Sequence, residues 1–349
     1  MKRFTPLTSK IMDKVLGHPT MAETAYQTEM VAPEEIIPIP PVQMDDSQRE
    51  KVTRTGRRTS FAIEWEKING RPTALHQPIM RYEFKNVLAT PNGFFSYTHN
   101  YNTWGKLDIA HLMKSHIAEV DHGFHGLRAI GKRYFGHWLM DCVPTTRLRR
   151  PDEALFFPTP KDWPHALSYQ RLFGLLPLKH DYVYFNTLTF CDDIGKNSHL
   201  GERLLEMRRE VHAASGNDKR RLIYFRRGDT GVARTIINED ALIEQLVSRN
   251  FEIVDVRADL DVILQACSNA DMIISMEGSH FGNCILPADT KTRFVIINPA
   301  DRFNNVWSDY LGLLGGKMGT VVAEKDGSGY RVDISHLLDF ADRMMCSTS

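Results

Sequence analysis

Two short loops and one helix-like stretch hold most of the residues that can do chemistry. The first loop runs Arg226-Arg227-Gly228-Asp229-Thr230-Gly231-Val232-Ala233-Arg234. Guanidinium forks pair with phosphate oxygens, and glycines let backbone N–H groups approach an anion, so Arg226, Arg227 and Arg234 are candidate ligands of a phosphate or diphosphate. A solvated basic turn would use the same residues. The second loop, Ser275-Met276-Glu277-Gly278-Ser279-His280-Phe281-Gly282-Asn283, opens a short helix. Free N–H groups at such a start attract anions, Glu277 can accept from sugar hydroxyls, and His280 can donate to a phosphate; an ordinary turn capped by Glu277 and Ser279 is the alternative. Farther upstream, Phe135-Gly136-His137-Trp138-Leu139-Met140-Asp141 sets His137 and Asp141 four apart, on one face of a helix, where an imidazole and a carboxylate can act as base and orienting partner. The alternative is a histidine bonded to its own turn and an aspartate tied to Arg147 or Arg149.

The elements around these loops are readable. Arg221 to Arg226, Phe251 to Val256, Asp271 to Ser275 and Arg293 to Asn298 are short apolar runs. Helical patterns separate them: Leu242, Ile243, Leu246 and Val247 after an Asn238 N-cap, then Leu260, Ile263, Leu264 and Cys267, then Phe281 to Leu286. The alternation predicts a parallel sheet with helices on its faces, and such sheets bind ligands at the carboxyl ends of their strands. Both loops lie at such ends. In the N-terminal half, residues 82–97 predict a hairpin about Pro91-Asn92-Gly93, 131–150 a loop entering a short helix that ends near Pro144, 165–176 a helix, the run from Asp181 a strand, and 201–213 a helix. Tyr169, Gln170 and Arg171 line a pocket or only pack. Residues 1–60, punctuated by Pro33, Pro38, Pro40 and Pro41, read as an extended arm.

Composition bounds the rest. The chain has 349 residues, with 43 basic and 43 acidic side chains and a net charge of zero. Domains cluster at roughly 100 to 200 residues, so two are expected. Neutrality supplies no broad basic field, which argues against a nucleic-acid partner. Cys142, Cys191, Cys267, Cys284 and Cys346 are scattered and never form a C-x-x-C pair, which suits a reducing compartment. No run approaches the ~18 apolar residues of a membrane span, and the basic start has no apolar core for a secretory signal. A cytoplasmic protein is expected, with peripheral attachment at the inner face of a membrane left open. His111, His116, His122 and His125 with Asp121 lack a supporting metal motif, so no metal site is expected. There is no G-x-x-x-x-G-K-[ST] and no G-x-G-x-x-G, which removes the main support for kinase, ATPase and simple dehydrogenase readings.

The succession Gly136-His137-Trp138-Leu139-Met140-Asp141-Cys142-Val143-Pro144, Tyr169-Gln170-Arg171, Arg226-Arg227 with Arg234, Asn238-Glu239, Gln265 and Glu277-Gly278-Ser279-His280 resembles glycosyltransferase family 61, in particular a bacterial branch linked to capsular polysaccharide synthesis. The resemblance runs from about residue 80 to residue 300. It implies an α/β fold of GT-B type, two Rossmann-like domains facing across a cleft, and an inverting transfer of a sugar from a nucleotide-sugar donor to a hydroxyl of a saccharide or glycan acceptor. It places 61–200 as the acceptor-side domain, 201–325 as the donor-binding domain and 326–349 as a C-terminal helix and tail. Arg226, Arg227 and Arg234 fall where diphosphate contacts are expected, Glu277 to His280 at the donor-binding helix start, and His137 and Asp141 on the acceptor side. No cofactor and no divalent metal are expected. Many members carry His-Gly-Ala where this chain has Glu277-Gly278-Ser279, which puts donor identity in question. A nucleotide-sugar-modifying enzyme such as an epimerase and a non-catalytic binding protein are the rival readings.

Overall fold

A computed structural model describes residues 2–102, 105–160, 162–215, 220–228, 231 and 233–346. The chain divides into two compact units, one of residues 1–35 with 76–195 and one of residues 36–75 with 196–349. The segment read as an arm is therefore shared. Its first part forms the helix Thr5–Val15 and the strand Gln27–Ala32 of the first unit, and its later part forms the helix Asp46–Arg49 in the second.

The second unit is an α/β layer structure. Its sheet is ordered 251–255, 221–226, 270–276, 293–299, 317–326, 329–331. The first five strands are parallel and the last returns antiparallel. The strands are runs such as Met272-Ile273-Ile274 and Val295-Ile296-Ile297, apolar on both faces, because helices cover both sides of a parallel sheet. Counting the parallel strands along the chain, the order is 2-1-3-4-5. It reverses between 221–226 and 270–276, so the topological switch point of this doubly wound sheet falls between the strands that carry the two loops. The strand 317–326 is an addition to the four expected. Its Gly319 leaves room for the C-terminal helix Ile334–Cys346, since a Cβ there would lie 2.4 Å from Met344 Sδ and 2.6 Å from the Phe340 ring. Asn238 does occupy the N-cap position of the helix Glu239–Ser248, yet its side chain does not cap it. Asn238 Nδ2 donates to Val332 O at 2.9 Å, and Val332 N donates back to Asn238 Oδ1 at 3.1 Å. The amide is spent on a distant strand end that local sequence does not reveal.

The first unit holds a mixed sheet, ordered 100–102, 93–95, 79–90, 183–192, 118–125, 154–156, with 27–32 pairing to 79–90. Strand 79–90 runs antiparallel to its neighbours, whereas 118–125 runs parallel to both of its own. The α/β class holds. The sheet of this unit is not the all-parallel array that a second Rossmann-like half brings to mind. The hairpin closes through Pro91 and Asn92, with Thr90 opposite Gly93. Pro144 does not end the helix expected there; it follows directly on the π-helical turn Trp138–Cys142, and helical structure continues to Leu148. The core is phenylalanine-rich, with Phe84, Phe94, Phe156, Phe185 and Phe190 together. His122 and His125 lie on one strand three residues apart, so they face opposite sides, His122 exposed and His125 buried. Among the described residues no group of three or more His, Cys, Asp or Glu side chains stands so as to hold a metal ion, none of the five cysteines is in a disulfide, and no helix is long and apolar enough to cross a membrane.

His125 packs among the rings of Phe94, Phe156 and Phe190, and burial pushes its imidazole down to about 3. The unfolded chain takes up a proton near 6.5 that the folded chain refuses. Stability from this group is therefore full above 6.5 and is lost as pH falls towards 3. Between pH 7 and pH 5 the loss through His125 amounts to about 2 kcal/mol. Urea unfolding at the two pH values should show it, and His125→Phe should flatten the difference; an equal pH dependence in that variant contradicts the assignment.

Candidate functional site

The loops after strands 221–226 and 270–276 meet at the switch point. Arg234 is the tie between them. Its Nη1 donates to the carbonyl of Glu277 at 2.6 Å and to the Glu277 carboxylate, and both side chains are more than nine-tenths buried. Glu277 is itself pinned, because its N–H donates to Ile297 O on the adjacent strand at 2.9 Å. Arg227 is buried beside this pair, and Gly228 and Gly231 take positive φ values of 62° and 69° to turn the loop. Asp229, Thr230 and Val232 lie outside the described residues. A Cβ on Gly278 would lie 3.1 Å from Arg227 Nε and 2.7 Å from His280 Nδ1, so glycine is what lets the guanidinium and the imidazole close on the backbone.

Burial, with repulsion from Arg234 and Arg302, pushes Arg227 down to about 10 despite the nearby Glu277. Arg302, on the loop after strand 293–299, was not anticipated. Arg226 behaves differently: its Nε donates to Glu239 Oε2 at 3.0 Å, its side chain is 40% exposed, and the hydrogen bond raises its pKa. Tyr224 Oη donates to the other oxygen of the same carboxylate at 2.9 Å.

His280 turns inward. Ser275 Oγ donates to Phe225 O at 2.7 Å, and that hydroxyl lies 2.9 Å from His280 Nε2. The serine proton being spent, the imidazole is the donor through Nε2–H. Its ring stacks on Phe225, and burial, followed by Arg227 and Arg234, holds it well below the usual histidine range, hence neutral. The ring is a wall and its N–H is occupied. Ser279 starts a three-residue 3₁₀ turn that leads into the four-residue helix Gly282–Ile285. So short a helix sums little dipole, and the arginines carry the positive potential.

Beside the cluster lies a cavity of about 280 Å³. Arg226, Arg227, Arg234, Glu239, Asp255 and Arg257 line it, and Ile236 and Met276 give an apolar wall. Asp255 ends a strand and Arg257 and Arg302 follow strand ends, so the carboxyl-end rule, applied to every strand rather than to two, finds all three.

The other predicted pair belongs to the first unit. His137 Nδ1 lies 2.7 Å from Asp141 Oδ2, the carboxylate almost fully buried and the ring partly exposed. The backbone from Trp138 to Cys142 is a π-helical turn, whose wider ring is common at functional sites. Thr145 Oγ1 lies 2.8 Å from both Asp141 O and Asp193 Oδ2, tying the turn to the end of strand 183–192. Asp193 is buried, and no local motif distinguishes it. Arg149 donates to Glu153 O. Tyr169 and Gln170 are buried, with Gln170 Nε2 donating to Thr159 Oγ1 at 2.6 Å, while Arg171 faces solvent.

Residues 135–295 match the sequence model of the family described as Glycosyltransferase 61, a range that contains His137, Asp141, Arg226, Arg227, Arg234 and Glu277 to His280. A comparison with curated proteins finds no match to the chain.

Removing one member of the buried pair leaves an uncompensated charge. Arg234→Met is expected to cost about 3–5 kcal/mol in urea unfolding, and Arg234→Met with Glu277→Leu to recover much of it. A double variant no more stable than Arg234→Met would show that the loops are held by something else.

Proposed function

We propose that this chain, a glycosyltransferase of family 61 by its match over residues 135–295, is an inverting enzyme that moves a sugar from a nucleotide-sugar donor to a hydroxyl of a saccharide or glycan acceptor. The observation that carries the reading is the gathering of Arg226, Arg227 and Arg234 on the wall of the switch-point cavity. A nucleoside diphosphate is an anion that guanidinium forks so gathered would take. Arg227 and Arg234 take the diphosphate, with Arg226 at the exposed rim. Glu277, Gly278, Ser279 and His280 shape the wall behind them. Guanidiniums can neutralise a leaving diphosphate without a divalent ion, because their charge is fixed and already desolvated.

The chemistry is one displacement. The acceptor oxygen bonds to the anomeric carbon from the face opposite the diphosphate, the carbon–oxygen bond to the diphosphate breaks, and the acceptor proton passes to a base. His137 is that base: in the tautomer with its proton on Nδ1 it donates to Asp141, and Nε2 is basic. Asp141 orients the ring and stabilises the imidazolium. The GT-B pairing of an acceptor domain with a donor domain, a cytoplasmic site where nucleotide sugars are available, and a role in surface or capsular polysaccharide synthesis belong to the same proposal and rest on the resemblance. An epimerase or a non-catalytic binding protein is not favoured by the family match.

Two experiments test it. His137→Ala should lower kcat by ~10²–10⁴-fold, and Asp141→Asn should also lower it, with nucleoside-diphosphate affinity kept in both; full turnover in both variants sinks the assignment of the base. Arg227→Met should weaken nucleoside-diphosphate binding in calorimetry by roughly 10–100-fold, the scale of one charge-assisted hydrogen bond. It should leave the melting temperature equal or higher, since the folded state disfavours that charge. Unchanged affinity would remove Arg227 from the donor site. The donor sugar itself can be found by thermal shift across a panel of nucleotide sugars, because a ligand at 100 times its Kd adds about 2.7 kcal/mol to stability.

A further inference from the structure

The helix Thr5–Val15 is amphipathic in the wrong sense for a helix that only packs on its own protein. Its inner face is small and polar: Pro6 and Ser9 are buried, and Ser9 Oγ donates to His99 O at 2.7 Å. The 3₁₀ turn Lys2–Phe4 before it is pinned by charge, with Arg3 Nη1 donating to Leu112 O at 2.9 Å and to Met113 O, and Lys2 paired with Glu119 at 2.5 Å. The outer face is apolar. Phe4, Leu7, Ile11, Val15 and Leu16 are between 48% and 70% exposed, and their spacing of three and four residues makes one continuous ridge.

The ridge has neighbours of the same character. The helix Ile109–Lys114, whose carbonyls hold Arg3, presents Ile109 and Met113 to solvent at 51% and 42%. Basic residues flank the apolar ones. Lys10 and Lys14 are exposed on the outer face, and Lys114 is exposed on the adjoining helix. The one carboxylate of the first helix, Asp13, is mostly covered and accepts from His18 Nδ1 at 2.7 Å. A convex apolar ridge edged with long lysines, and bearing no open carboxylate of its own, fits a surface that is apolar below and anionic at its rim. Lysine stems can lie along the ridge while their ammonium groups rise to phosphates. Apolar insertion together with basic attraction is the two-signal arrangement by which peripheral helices hold to bilayers.

We propose that this helix is a docking surface for an anionic lipid bilayer, lying in the headgroup plane with Phe4, Leu7, Ile11 and Val15 at the acyl boundary and Lys10 and Lys14 on headgroup phosphates. It does not depend on the transfer reaction proposed above. The test is co-sedimentation of the full chain with vesicles of phosphatidylcholine alone and of an equimolar mixture with phosphatidylglycerol, at low and high salt. The chain should sediment with the mixed vesicles, far less with phosphatidylcholine alone, and less as salt screens the lysines. Leu7→Ser with Ile11→Ser should reduce the bound fraction by at least about tenfold, the scale of withdrawing two such side chains from the acyl boundary, at an unchanged melting temperature. Lys10→Glu with Lys14→Glu should abolish the preference for the anionic vesicles. A wild-type chain that stays in the supernatant, binds both vesicles equally, or sediments no better than the Leu7→Ser, Ile11→Ser variant overturns the proposal. So does a lipid-independent dimer in analytical ultracentrifugation that this variant converts to monomer.

Discussion

The buried pair of Arg234 and Glu277 is the constraint from which the site in the second unit follows. Desolvating two opposite charges is repaid only when geometry is close and further hydrogen bonds are made. Here the guanidinium reaches both the carboxylate and the carbonyl of one residue, and that residue's N–H is held by the neighbouring strand. The pair therefore joins the loop after strand 221–226 to the loop after strand 270–276, across the point where the order of strands reverses. Arg227 is packed against this tie, and the glycines at 228, 231 and 278 are what let the backbone bend and approach closely enough.

In the first unit the corresponding constraint is a backbone one. A π-helical turn from Trp138 to Cys142 adds a residue to the ring, and Pro144 follows, unable to donate an N–H to the preceding turn. The Thr145 hydroxyl reaches back to Asp141 O and across to Asp193. This fixes the turn from which the Asp141 carboxylate meets His137. A pair four apart was legible because helical spacing brings such residues together whether the turn is α or slightly wider. The π turn and the support from Asp193 were not, since neither is written in a local pattern.

The same division between local and distant information explains the fold. The parallel strands of the second unit were readable because burial on both faces demands unbroken runs such as Ile273-Ile274 or Val295-Ile296-Ile297. The strand Lys317–Asp326 was missed: its apolar run is interrupted by Gly319, and that glycine is there for the helix packed above it. In the first unit the strands 79–90 and 183–192 were visible, but whether neighbours run parallel depends on which strands meet, and no short window holds that. Asn238 shows the limit at one residue. Its type and position are those of a cap, and a strand end more than ninety residues away takes its amide instead. His122 and His125 show it again, since a spacing suited to metal on a helix is divided between two faces on a strand.

The buried basic residues of the two units differ in what they are packed against. Arg81 is buried against Glu153, with Glu83 nearby at 3.7 Å. Lys67 and Arg71 share Asp309, and Glu64 stands close to Lys67. Each of these clusters closes on itself. Arg208 is a sharper comparison, because burial pushes it down to about 10, as it does Arg227. Yet its three nitrogens donate to Leu286 O, Leu314 O and Ile285 O, carbonyls at the C-terminal ends of two helices. A depressed arginine alone therefore does not mark a binding site. What sets Arg227 apart is its place at a strand's carboxyl end and on the wall of a cavity, with Arg234 and Arg302 acting on it. Under the function proposed above, this local gathering of guanidinium in a chain whose net charge is zero is what would attract a diphosphate.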